Sequence, residues 1–192
     1  MAAQFSVVDG RKWKTSFFTI WTAQAISLLG SQLVQFALIW YLTDQTGSGT
    51  VLATATLVGL LPQVFLGPLV GTLVDRWNRK AIMIAADIMI AAVTVLLALL
   101  FATDAIQIWH IYVVMFVRSI GGGFHGTAMG ASTSLMVPKE HLARVQGLNQ
   151  TLYGGMNVLS APLGAFLLEV LPMQGVLAID VGTALVAVMP LL

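Results

Sequence analysis

The sequence predicts an all-α membrane protein with six transmembrane helices, and three observations carry that prediction. Of its 192 residues 58% are hydrophobic and only 9% are charged, whereas soluble domains carry about a quarter charged residues and need them to meet water. The apolar residues come in long blocks, and runs of about eighteen or more read as membrane spans. Apolar residues also surround each predicted helix instead of forming one stripe, as expected where lipid is the solvent. Transmembrane strands would be shorter and would alternate, which rejects a β-barrel.

After an N-terminal segment, 1–15, the spans read 16–41, 51–70, 81–101, 109–136, 142–171 and 174–192. Breaks such as Thr43-Asp44-Gln45-Thr46-Gly47-Ser48-Gly49 and Ala102-Thr103-Asp104 separate them. Arg11, Lys12 and Lys14 before an apolar run containing Ala23-Gln24-Ala25 raise the alternative of a signal peptide. The run is too short before that point and continues far past it, which fits a retained first helix. The last span ends at Leu192 without a basic anchor and is barely long enough to cross, so a truncated protein is expected.

The nine Lys and Arg residues set the orientation. Arg11, Lys12 and Lys14 precede the first span; Arg76, Arg79 and Lys80 lie between the second and third; Lys139 and Arg144 lie where the fourth meets the fifth. The intervening connections hold none, and the ninth, Arg118, falls inside the fourth span. Positive residues in short loops stay cytoplasmic, so both termini are expected inside. The net charge of +1 gives no reason to expect a nucleic-acid partner. The absence of cysteine excludes disulfides and thiolate metal sites. No metal-ligand spacing, nucleophile triad or phosphate loop is present, and Gly121-Gly122-Gly123 lies inside a span without a preceding strand. Neither a cofactor nor a metal is expected, and an intramembrane enzyme is rejected because no paired catalytic groups share one depth.

Arg118 within hydrocarbon costs roughly 2.5–3.5 kcal/mol even on the lenient insertion scale, so it needs a partner or a water-filled cavity. Counting inward from the outer side places Arg118 at about 14 Å and Asp180 at about 9 Å, within reach of a long side chain. Asp87 lies about 9 Å from the opposite side, nearer in depth to Gln63, and is assigned to the cytoplasmic network. Three helices carry polar or small residues at helical spacing: Gln24, Ser27, Ser31 and Gln35 on the first; Arg118, Gly122, His125 and Met129 on the fourth; Asn149 or Gln150, Tyr153, Asn157, Ser160 and Gly164 on the fifth. Lipid cannot satisfy such faces, so they line a cavity or hydrogen-bond other helices. For any single residue the hydrogen-bonding role is favoured. His125 beside glycines reads first as a packing or hydrogen-bonding group and second as a proton carrier.

The connection Gly71-Thr72-Leu73-Val74-Asp75-Arg76-Trp77-Asn78-Arg79-Lys80 carries the most specific pattern. Gly71 permits close backbone approach, Asp75 can accept from amides at a helix N-terminus, and Arg76, Arg79 and Lys80 can pair with carboxylates or lipid phosphates. A positive-inside anchor explains the cations but not Gly71 and Asp75 at those offsets. The stretch closely resembles the G-x-L-x-D-R-x-x-R-K signature of the major facilitator superfamily. Gln24-Ala25-Ile26-Ser27-Leu28-Leu29-Gly30-Ser31-Gln32, with Thr46-Gly47-Ser48 after it, resembles the macrolide- and siderophore-type efflux members.

The resemblance implies the N-terminal half of a transporter: two inverted three-helix repeats, helices one, four and five bordering a central cavity, and Asp75 in a network that closes the cytoplasmic side. Arg118-Ser119-Ile120-Gly121-Gly122 is similar to the family's R-x-x-x-G pattern, where the Arg is associated with proton coupling; a static buried ion pair is an equal alternative. On helix five, 157–166 resembles the exporter motif G-x-x-x-G-P-x-x-G-G with Asn157, Ala161, Ala165 and Phe166 at its glycine positions, while Pro162 should still bend the helix. The implied function is proton-coupled efflux of amphipathic drug-like or siderophore-like compounds across a bacterial plasma membrane. The implied partners are the lipid bilayer, the substrate, and a missing C-terminal six-helix half or a second copy of the chain. The rival is a half-length scaffold or self-associating fragment that does not transport.

Overall fold

The computed structural model describes residues 13–191, so Arg11, Lys12 and Leu192 lie outside the described residues. It contains six α-helices in an all-α bundle: α1 Trp13–Thr46, α2 Gly49–Arg76, α3 Arg79–Ala102, α4 Ile108–Met136, α5 Lys139–Val170 and α6 Met173–Val188, the last followed by a 3-10 turn at Met189–Leu191. All except α4 are long and apolar enough to cross a membrane, α6 together with its terminal turn. At 29 residues α4 has the length. Arg118, two histidines and a run of Gly, Ser and Thr lower its apolarity.

The helices run longer than the apolar blocks because polar ends do not break a helix until a cap or turn residue arrives. Thr43 and Thr46 bond back to the carbonyls of Ile39 and Leu42, so α1 continues to Gly47, whose φ of 57° ends it. Ser48 then caps α2 and Asn78 caps α3, each accepting from the amide three residues on. Pro138 and Pro172 occupy the N-cap positions of α5 and α6, where a missing N–H costs nothing. Pro62, Pro68 and Pro162 lie inside helices that remain continuous.

The packing repeats with the two halves exchanged. α1 packs on α5 and α6, α4 packs on α2 and α3, and α3 meets α6. Exchanging helices one, two and three for four, five and six turns the first pair of contacts into the second, which is the pattern of two inverted three-helix units. Glycines set some of these approaches. A Cβ on Gly30 would strike Thr183 Oγ1 and come within 3.2 Å of the Asp180 backbone, so α1 and α6 touch closely only because none is present. On Gly164 a Cβ would lie 2.5 Å from the Phe36 ring, between α5 and α1.

Two apolar clusters fill the bundle. One, at the end holding both described termini, includes Trp13, Phe17, Val70, Val74, Met83, Met136 and Leu191. The other, at the opposite end, includes Val34, Leu38, Leu42, Leu97, Ile111, Met115 and Leu177. Between them lies a buried polar layer of Gln24, Ser27, Asp87, Thr94, Arg118, Ser119 and Asp180. That layer positions the site.

Candidate functional site

A cavity of about 550 Å³ opens into this polar layer, walled by α1 to α5. Its lining includes Gln24, Ser27, Ser31 and Gln35 from α1, Arg118, Gly122 and His125 from α4, and Tyr153 and Asn157 from α5. Met129 is placed elsewhere: it packs, partly buried, against the apolar cluster at the terminal end, where an apolar thioether side chain finds apolar surroundings. Residues that the sequence did not mark as lining also border the cavity: Gln32 on α1, Thr56, Gly59 and Gln63 on α2, Ile90 on α3 and Ser119 on α4. Steps of three and four from Thr56 to Gly59 to Gln63 are a helical stripe, and that signal could have identified the α2 face.

Arg118 and Asp180 form a buried ion pair between α4 and α6, with Nη1 2.5 Å from Oδ2 and exposures of 6% and 1%. Ser31 donates to Asp180 Oδ1 at 2.9 Å, and Thr94 donates to Oδ2 at 3.3 Å. The same guanidinium donates to Thr94 Oγ1 and, through Nη2, to the Ser31 carbonyl at 3.5 Å. Both carboxylate oxygens are therefore occupied, which is the condition for a buried pair to repay its desolvation. Thr94 completes the arrangement and was not anticipated; a hydroxyl in the middle of the apolar Ile88–Leu100 stretch was its signal.

Asp87 does not join the cytoplasmic network. It shares the inward face of α3 with Ile90 and Thr94, at steps of three and four, so its carboxylate turns into the bundle. Its Oδ1 lies 3.4 Å from His125 Nε2. That nitrogen is also 2.7 Å from Gln24 Oε1, while Gln24 Nε2 donates to the Ala187 carbonyl at 3.1 Å. Because the Gln24 amide nitrogen is committed to Ala187, its oxygen is the acceptor and His125 Nε2 carries hydrogen. Asp87 Oδ2 is buried without a hydrogen-bond partner.

The Gly71–Lys80 stretch forms the end of α2, the turn and the start of α3. Asp75 is 74% exposed and meets Arg79 at 3.8 Å, one turn on. It does not reach a helix N-terminus, because Asn78 accepts from the Ala81 amide at 3.2 Å and takes that role. Arg79 Nη1 donates to the Ala131 carbonyl near the end of α4 at 3.3 Å. Arg76 is exposed and Lys80 half-buried. Nothing lies within 4 Å of a Cβ added to Gly71, so no contact within the described residues requires glycine there. Pro162 is exposed on α5. At the same end of the bundle Trp21 Nε1 donates to Asn149 Oδ1 at 2.7 Å, joining α1 to α5. No group of acidic, His or Cys side chains able to hold a metal occurs among the described residues.

The Major Facilitator Superfamily profile matches residues 20–192. Macrolide efflux protein A of Streptococcus pyogenes is 43% identical over 175 residues, covering 91% of this chain and 43% of the relative. The protein of the same name from Enterococcus faecalis is 40% identical over 141 residues, 73% of this chain and 43% of the relative. The uncharacterized MFS-type transporter YkuC of Bacillus subtilis (strain 168) is 29% identical over 166 residues, 86% of this chain and 38% of the relative. The chain thus spans less than half the length of the curated relatives it matches. An integral membrane bundle with this repeat, this profile match and these relatives is no enzyme: the chain belongs to the major facilitator superfamily of membrane transporters.

Proposed function

We propose that this chain forms the N-terminal half of a secondary active transporter that exports amphipathic drug-like compounds in exchange for protons. The observation that carries the reading is the polar cavity of about 550 Å³ in the middle of an otherwise apolar bundle. Lipid would leave Gln35, Gln63 and Asn157 unsatisfied, whereas a water-filled path through the membrane accommodates them. The relatives' printed name, macrolide efflux protein, favours drug-like over siderophore-like cargo.

The second six-helix half would complete the cavity by covering α2 and α5. Of the five long apolar helices these two have the fewest buried residues, and they expose Leu60, Val64, Phe65, Val158, Leu159 and Phe166. Arg76, Arg79, Lys80, Lys139 and Arg144 lie at one end of the bundle, in the helix ends that flank the α2–α3 and α4–α5 connections, which supports an orientation with that end and both termini in the cytoplasm of a bacterial cell. Asp75 at the same end then stands where a closing contact with the second half would form.

Energised everted vesicles containing the chain joined to a second half test the reading. Accumulation of a labelled macrolide, abolished by a protonophore, is expected; accumulation equal to that in empty vesicles rejects it. Because α2 and α5 leave broad apolar faces open, a self-associating half that does not transport is the second reading, and the same assay on the 192-residue chain alone separates the two.

A further inference from the structure

We infer that Asp87 and His125 together form the proton-binding site of this cavity, distinct from the Arg118–Asp180 pair. The inference rests on the proton-coupled reading above and names the residues that take the proton. A charge within a bilayer needs a counter-charge or a proton. Arg118 and Asp180 cancel one another, and both Asp180 oxygens are occupied by Arg118, Thr94 and Ser31. Asp87 has no such arrangement. It is 5% exposed, its Oδ1 lies 3.4 Å from His125 with the Gln24 side chain as its neutral hydrogen-bonding neighbour, and its Oδ2 has no hydrogen-bond partner.

The charged and titratable groups around it are few. α4 presents Arg118 and His125, α6 presents Asp180, and α5 presents Tyr153 across the cavity. α1 and α2 present the neutral Gln24 and Gln63. The polar layer therefore holds one more carboxylate than fixed cations, and a proton on Asp87 or His125 restores neutrality. A buried Oδ2 closed to solvent cannot be reached by an ammonium group or a metal ion without rearrangement of its surroundings, which leaves the proton as the fitting ligand. It arrives from cavity water, forms one O–H or N–H bond, and leaves by the same bond; nothing is oxidised or reduced.

The geometry also shows how occupancy reaches the helices. Two acceptors compete for the one hydrogen on His125 Nε2: Gln24 Oε1 at 2.7 Å and Asp87 Oδ1 at 3.4 Å. An ionised Asp87 draws that hydrogen toward α3. A protonated Asp87 releases it to Gln24, whose other amide end holds the Ala187 carbonyl of α6 at 3.1 Å. Proton binding between α3 and α4 thereby changes the bond that ties α1 to α6.

Infrared difference spectroscopy of the 192-residue chain in lipid, stepped through pH, reads each carboxyl as growth of the carbonyl stretch of a protonated acid. One carboxyl titrating apart from the exposed ones is expected. Asp87→Asn should remove it, Asp87→Glu should keep it, His125→Gln should shift its midpoint, and Asp75→Asn should leave it unchanged. Survival of that component in Asp87→Asn, or an unmoved midpoint in His125→Gln, overturns the inference. If Asp87→Asn does not fold, the midpoint shift in folded His125→Gln decides. The outcome is separable from transport: a protein with this titration that exports nothing sinks the efflux reading alone, whereas proton-driven export by Asp87→Asn sinks this site alone.

Discussion

Arg118 on α4 and Asp180 on α6 meet at 2.5 Å in the centre of the bundle, both nearly fully buried, and the pair joins helices from one three-helix unit at the point where α1 and α3 also converge. Ser31 from α1 and Thr94 from α3 bond to the same carboxylate, so four helices share one polar centre. Removing one charge should therefore do more harm than removing both. Arg118→Ala is expected to cost about 3–5 kcal/mol because Asp180 is left buried without a counter-charge. Arg118→Ala combined with Asp180→Asn should cost less than the sum of the single losses. Thermal unfolding of both singles and the double in detergent measures this, and strictly additive losses reject the coupling.

Gly30 lets α1 approach α6 beside that centre. Gly30→Ala should destabilise by about 1–3 kcal/mol, the usual cost of an overpacked contact. Its Cβ must displace Thr183 and press on the Asp180 backbone. Gly130→Ala, where nothing lies within 4 Å, serves as the control and should be close to neutral. Equal melting temperatures for the two variants would show that the α1–α6 approach does not depend on glycine.

Orientation is testable because the chain has no cysteine. In intact cells an impermeant thiol reagent should label a cysteine replacing Gly47, in the α1–α2 connection, and spare one replacing Asn78, in the α2–α3 connection. The reverse pattern would overturn the orientation drawn from the basic residues.

Self-association of the isolated chain is expected, since the open apolar faces of α2 and α5 and the unsatisfied cavity wall can be covered by a second copy. Light scattering that separates protein from detergent mass should report a dimer, and Phe65→Ser with Phe166→Ser should weaken it. A monomer of 20.5 kDa across a wide concentration range, in mild detergent and in lipid, would rule the dimer out.

The helices themselves were legible from composition, because a bilayer permits few backbone solutions and long apolar blocks leave only the helix. Depth along a helix is a one-dimensional quantity at about 1.5 Å per residue, so the partnership of Arg118 with Asp180 could be read by counting inward from the loops. Rotation about the axis and lateral neighbours could not. Asp87 has a depth compatible with a cytoplasmic network, yet the packing of α3 against α4 and α6 turns it toward His125. Met129 has the spacing of a lining residue, yet one turn beyond His125 it packs against the apolar cluster at the terminal end. Thr94, Ser119 and the α2 stripe are polar enough to notice in the sequence, but contacts between helices distant in sequence place them in the site. Long apolar blocks in the chain are enough to mark the helices and the residues too polar to face lipid; which of those residues meet depends on how the helices pack, because polar groups in hydrocarbon must find partners and the partners lie on other helices.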